Sequence, residues 1–213
     1  MNEQEVFNLA EYLRTYVGTE ELFDFLNWPA LVFLAAAFLL LWIGKKINDW
    51  ITPYKINDEL TKTDNKALAV SFAGYLLAIA IIIRGVLGEP APERLLMEEL
   101  GGNERLVFLG YDLLDTIVWT VVGILLLNIA RFLNDKIILR HFDNIKELIQ
   151  DKNVGTAAVE FGTYVGTAFI IKAVVFGGVE HWSEDIIATV VFFVLGQLAF
   201  ILFGLFYQRI TSY

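Results

Sequence analysis

Five stretches of the chain run for about 20 residues each with little or no charge, and short charged segments separate them. The first is uncharged from Phe25 to Gly44. The second, Asn65 to Gly88, is interrupted only by Lys66 and Arg84. The third, Leu113 to Phe132, has Asp115 near its start. The fourth, Val154 to Val179, carries Glu160 and Lys172, and the fifth, Ile186 to Gln208, carries no charge at all. A helix of roughly 20 apolar residues crosses the hydrocarbon core of a bilayer. The pattern therefore predicts an all-α polytopic membrane bundle of about five transmembrane helices. Two further pieces do not span. Residues 3–17 place Val6, Leu9, Leu13, Tyr16 and Val17 at helical spacing, which predicts an amphipathic surface segment. Residues 90–111 open on Pro90-Ala91-Pro92-Glu93 and predict a short helix that ends before Gly110.

Composition agrees with a bilayer environment. The 213 residues are 56% hydrophobic, too apolar for an ordinary soluble domain, and the mean hydropathy is +0.56. The absence of cysteine excludes disulfides, thiol nucleophiles and thiolate metal sites. A net charge of −9 without a basic patch argues against nucleic acid as a partner. The acidic start (Glu3, Glu5, Glu11) does not read as a secretory signal.

Lysine and arginine collect in alternate loops. Lys45, Lys46, Lys55 and Lys62 follow span one. Arg131, Lys136, Arg140, Lys146 and Lys152 follow span three, and Arg209 follows span five. The other side holds Arg14, Arg94 and Arg105, and Gly178 to Asp185 has no basic residue. The basic loops are expected in the cytoplasm. That orientation puts the N-terminus outside and the C-terminus in the cytoplasm.

The spans repeat. An offset of 88 lays Asn65 on Asn153, Ala69 on Ala157, Gly74 on Gly162, Ala80 on Ala168, Ile82-Ile83 on Ile170-Ile171, and Arg84 on Lys172. Upstream, Ile43-Gly44-Lys45-Lys46-Ile47-Asn48-Asp49 lies on Ile129-Ala130-Arg131-Phe132-Leu133-Asn134-Asp135 at an offset of 86. Each unit has two spans, so both copies insert the same way up and form a parallel repeat. The expected organisation is an outer amphipathic segment (1–28), a first two-span unit (29–88), an outer loop with a short helix (89–111), a second two-span unit (112–179) and an additional C-terminal span (180–213). The string Ile51-Thr52-Pro53-Tyr54, then Glu59-Leu60, then Asp64 to Gly74, echoed by Asn153 to Ala158, resembles the YjfL family of bacterial inner-membrane proteins. That family is built from a repeated two-span unit and has no established function. The resemblance covers spans one to four. It implies a small inner-membrane protein linked to envelope-stress gene neighbourhoods, and it transfers no catalytic residue.

Glu160, Arg84 and Lys172 are the candidate intramembrane functional residues. Glu160 lies about two turns into span four with no cation within a helical turn, where desolvation disfavours its ionised form. It either couples to protons or bonds to a neighbouring helix as a neutral acid. Arg84 and Lys172 either line an outer cavity, snorkel to headgroups, or pair with Glu89, Asp112, Asp115 or Asp185. Asn65 and Asn153 open spans two and four and read as helix caps, or as seats for an anion or headgroup. Gly74, Gly162 and Gly166 offer close helix packing, within one chain or between chains. Asn128 and Gln197 lie mid-span and are expected to bond across helices. Trp28, Trp42, Trp119, Trp182 and Tyr207 read as interface belts. His141 and His181 fall on opposite sides, so no metal site is expected, and neither is a cofactor. No nucleophile–base pair or nucleotide motif is present, which argues against an enzyme. The partners expected are the lipid bilayer, a second copy in a homo-oligomer, and a cytoplasmic protein at the loops. A scaffold or regulatory component is the preferred reading. A small oligomeric ion or proton channel or transporter using Glu160, Arg84 and Lys172 is the alternative.

Overall fold

Long apolar runs fold as helices because a backbone surrounded by lipid must satisfy its own hydrogen bonds. The computed structural model of the chain describes residues 28–87, 102–133, 135–136, 143–174 and 182–211. It is all-helical among the described residues. The long helices are α1 (Trp28–Ile51), α3 (Lys66–Val86), α4 (Gly102–Leu133), α5 (Val154–Val174) and α6 (Trp182–Thr211). All five are long and apolar enough to cross a membrane. A short helix α2 (Ile56–Thr61) follows α1, and a π-helical turn (Lys146–Gln150) precedes α5. The chain falls into two compact units, residues 1–38 and 39–213. Of the first, only the opening turns of α1 are described.

Within the larger unit, α3 and α5 pack along their lengths, α4 lies against both, and α6 lies against α5. Half of the spanning windows of α3 and α4 is buried, against 17% for α6, so α6 sits at the periphery and turns most of its apolar surface outward. Small residues permit the close approaches. A Cβ on Gly74 of α3 would stand 2.7 Å from the Phe161 Cα of α5, and one on Gly123 of α4 would stand 2.7 Å from Ile82 Cγ2. Without a hydrophobic driving force between helices in lipid, such van der Waals contact is what holds spans together. The α5–α6 seam is fastened by a buried hydrogen bond from Gln197 Nε2 to Thr167 Oγ1 (3.1 Å) and by Gly166 against Phe200.

α2 and the π turn meet at one end of the bundle, called here the loop end. Leu68, Ala67, Leu148 and Ala157 form a buried apolar cluster there, with Tyr54, Leu60, Val70 and Ile149 packed against it. The backbone is congruent across the 88-residue offset. α3 and α5 start and stop at positions 88 apart. The Asn65 N–H donates to Glu59 O (3.0 Å), and the Asn153 N–H donates to Glu147 O (2.8 Å). Asp64 and Lys152, just ahead of the two asparagines, both adopt left-handed backbone, with φ of 50° and 48°.

Several expectations are corrected. Residues 102–111 do not end a separate short helix before Gly110. They are the first turns of α4, which runs unbroken to Leu133. One glycine costs a helix about 1 kcal/mol, too little to break it between apolar neighbours such as Leu109 and Tyr111. Lys45, Lys46 and Arg131 are not loop residues but lie inside α1 and α4. Trp119 is not an interface residue: it is 2% exposed. The expected segment 3–17, the helix start at Pro90, and His141 and His181 lie outside the described residues.

Candidate functional site

The loop end gathers polar side chains into the bundle, beginning with the two helix starts. Asn65 is buried. Its Oδ1 accepts from the Leu68 N–H (3.0 Å) and its Nδ2 donates to Leu148 O (2.9 Å). It therefore caps α3 and ties that cap to the π turn. Asn153 caps α5 from an exposed position: its Oδ1 accepts from the Gly155 and Thr156 amides at 2.9 and 3.3 Å, and its Nδ2 donates to Glu147 Oε2 (2.8 Å). Lys152 Nζ reaches back to Thr63 O, so the two loops are fastened in both directions.

Arg131 is the centre of the site. Its side chain is 12% exposed. Nη1 donates to Asn48 Oδ1 on α1 (3.0 Å), Nη2 donates to the Tyr54 hydroxyl in the following loop (3.2 Å), and Nε stands 4.0 Å from Asp135. Asp135 also accepts from Asn144 Nδ2. The planar guanidinium presents several donors in fixed directions, which suits it to joining three segments at once. Burial pushes the Tyr54 phenol above its ordinary range, although Arg131 beside it pulls the other way. Burial likewise raises the Asp135 carboxyl, again opposed by Arg131.

Glu160 lies deeper, on α5. It is 6% exposed and accepts from the Ser71 hydroxyl of α3. Arg131 is near enough to act on it electrostatically, as are Asp135, Tyr54 and Tyr164. Tyr164 meets Tyr75 edge to face, with ring centroids 5.4 Å apart. The Tyr75 hydroxyl accepts from Asn128 Nδ2 (3.1 Å) and donates to Gly44 O (3.3 Å). One contiguous polar cluster thus runs from the loop end to mid-bundle. There it stops at a layer of fully buried Ile79, Ile82, Ile124, Leu127 and Ile171. Ile79 and Ile124 meet at Gly44, and Ile82 and Ile171 flank Gly123. Beyond the layer a second buried polar group begins on α4 with Asp115, Thr116, Trp119 and Thr120.

Residues 19–175 match the family described as Domain of Unknown Function (DUF350), which is well over half of the chain. The chain belongs to the DUF350 family. The match includes the whole Arg131–Glu160 cluster and stops before α6. Among curated proteins and among solved structures, nothing matches.

Within the DUF350 region the two cations at the far end stand apart from Glu160. Arg84 is exposed, and the Lys172 stem packs on Gly85, where a Cβ would stand 2.7 Å from Lys172 Cγ. The three candidates do not converge on one interior. Gly74 and Gly166 lie at helix contacts, whereas Gly162 is exposed with no atom within 4 Å of a Cβ placed on it. Asn128 and Gln197 do bond across helices. Trp42 is exposed, as an interface residue must be. Arg131, Asn48, Tyr54 and Ser71 were not expected from the sequence to meet in one buried cluster. The one available signal was the alignment of Arg131 and Asp135 with Lys45 and Asp49, which form an i,i+4 ion pair of their own at 2.8 Å.

Proposed function

We propose that this DUF350 protein is a scaffold or regulatory component of the bacterial inner membrane, working through partners at its basic loops, and not a conduit or an enzyme. The observation that carries this reading is the isoleucine–leucine layer. Among the described residues it separates the Arg131–Glu160 cluster from the buried polar group on α4 at Asp115–Thr120, while Glu160 and Arg131 are held by partners within their own cluster. The resemblance to the YjfL family supports a role in envelope stress. The congruent backbones at Asn65 and Asn153 support a parallel two-span repeat, and the lysine distribution supports an N-terminus outside and a C-terminus in the cytoplasm.

A second reading, a small oligomeric ion or proton channel or transporter, draws on different atoms. Asn128 Oδ1 and Thr120 Oγ1, on opposite sides of the apolar layer, are buried without hydrogen-bond partners among the described residues. Water could satisfy both if the layer opened. Ion and proton flux into liposomes holding the purified chain separates the two readings. The expected result is no flux above empty liposomes across a range of pH and potential. Flux that Glu160→Gln abolishes, in a variant that still folds, would sink the scaffold reading.

A further inference from the structure

The loop end of α1 carries a lysine, Lys46, with no carboxylate at ion-pair distance among the described residues. Trp42, Lys46 and Trp50 are four residues apart and so share one stripe of the helix. All three are exposed, Trp50 to 86%. Lys46 Nζ stands 5.4 Å from the centroid of the Trp42 ring. The neighbouring Lys45 is paired with Asp49 at 2.8 Å, and Asp49 also accepts from the Ile56 amide. Lys62 pairs with Asp58 and Lys146 with Asp151. Lys46 forms no ion pair among the described residues. A like arrangement closes α4, where Lys136 Nζ lies 6.0 Å from the centroid of the exposed Phe132 ring.

A lysine laid over an aromatic ring at the end of a span is in the posture of a snorkelled cation. Its stem covers apolar surface while the ammonium reaches the phosphate layer. Indoles settle at the same depth, with the ring in the apolar margin and the N–H available as a donor. An anionic phosphate on this stripe would meet the Lys46 ammonium, with the exposed Trp50 indole one helical turn away to offer its N–H. A choline headgroup gains less, because the Trp42 face that would stack on it is already taken by Lys46. We propose that the Trp42–Lys46–Trp50 stripe seats the headgroup of an anionic phospholipid of the surrounding bilayer. The seat requires only that α1 is a membrane span and does not depend on the scaffold reading.

The test is lipid retention by the full-length chain, measured by native mass spectrometry after titration with phosphatidylglycerol or phosphatidylcholine of equal chain length. Retention of phosphatidylglycerol is expected to exceed that of phosphatidylcholine by about fivefold, the effect of one cation near an anionic surface. Lys46→Gln removes that preference, and Lys62→Gln leaves it in place. Both lysines are exposed, so neither substitution threatens the fold. Equal retention of the two lipids overturns the proposal, as does a preference that survives Lys46→Gln. A preference lost equally in Lys62→Gln also overturns it, since bulk charge would then be responsible.

Discussion

Replacing Arg131 by methionine removes the charge and the donor fork while keeping a chain of similar length. The loss leaves Asn48 Oδ1 and the Tyr54 hydroxyl without their donor, and Asp135 and Glu160 without the cation nearest to them. Hydrogen bonds from a charged donor contribute about 1.5–3 kcal/mol each, and removing one partner of a buried ion pair costs about 3–5 kcal/mol. These figures overlap, because they describe the same contacts, so about 3–5 kcal/mol is expected in all. The side chain is 12% exposed, so little of this is screened by solvent. Lys45→Met, at the position 86 residues before Arg131, loses one ion pair of a more exposed side chain and should cost about 1 kcal/mol or less. Thermal unfolding of both variants in the same mild detergent reads the contrast. With about 2–4 °C per kcal/mol for a chain of this size, Arg131→Met should melt roughly 6–20 °C below the natural chain. If Arg131→Met melts no lower than Lys45→Met, Arg131 is not the post that joins α1, α4 and the loop.

The two asparagine caps and the two aligned glycines give further contrasts. Asn65→Ala loses a cap and strands the buried Leu148 carbonyl, for about 2–3 kcal/mol, whereas Asn153→Ala loses an exposed cap for about 1 kcal/mol. Equal losses in chemical denaturation would show that the Asn65–Leu148 contact contributes nothing. Gly74→Ala drives a methyl into the Phe161 backbone and should destabilise by about 1–3 kcal/mol. Gly162→Ala should be neutral, or stabilising by up to about 1 kcal/mol through helix propensity, when both are compared by melting temperature. A Gly162→Ala variant that loses subunits on a sizing column would instead place that face between copies of the chain.

How much of this could be read from the chain depends on the range of the interaction concerned. Five spans were legible because crossing a bilayer is a property of one segment's length and charge. The 88-residue offset and the two capping asparagines were legible for the same reason: a cap is made within its own first turn. Glu160 stood out because no cation lies near it along its own helix. Its partners, Ser71 and Arg131, come from other helices. Arg131 looked like a solvated loop cation because a charge at the end of a hydrophobic run usually is one. It is buried because Asn48, Tyr54 and Asp135 close around it. Trp119 belonged by composition to an interface belt, yet packing turns it inward.

Gly74 and Gly162 show where the reading stops. They occupy aligned positions and look equivalent. The fold presses Gly74 of α3 against the Phe161 backbone of α5 and leaves Gly162 of α5 exposed, because the α3–α5 contact runs through the one face and not the other. Residence in a membrane, helical class, span number and caps follow from hydropathy and short-range hydrogen bonding, which each segment carries wherever it lies. The Arg131–Glu160 cluster, the apolar layer above it and the separation of Arg84 and Lys172 from both arose only in the assembled bundle. Each depends on which faces of distant helices meet, and one-dimensional periodicity does not encode that choice.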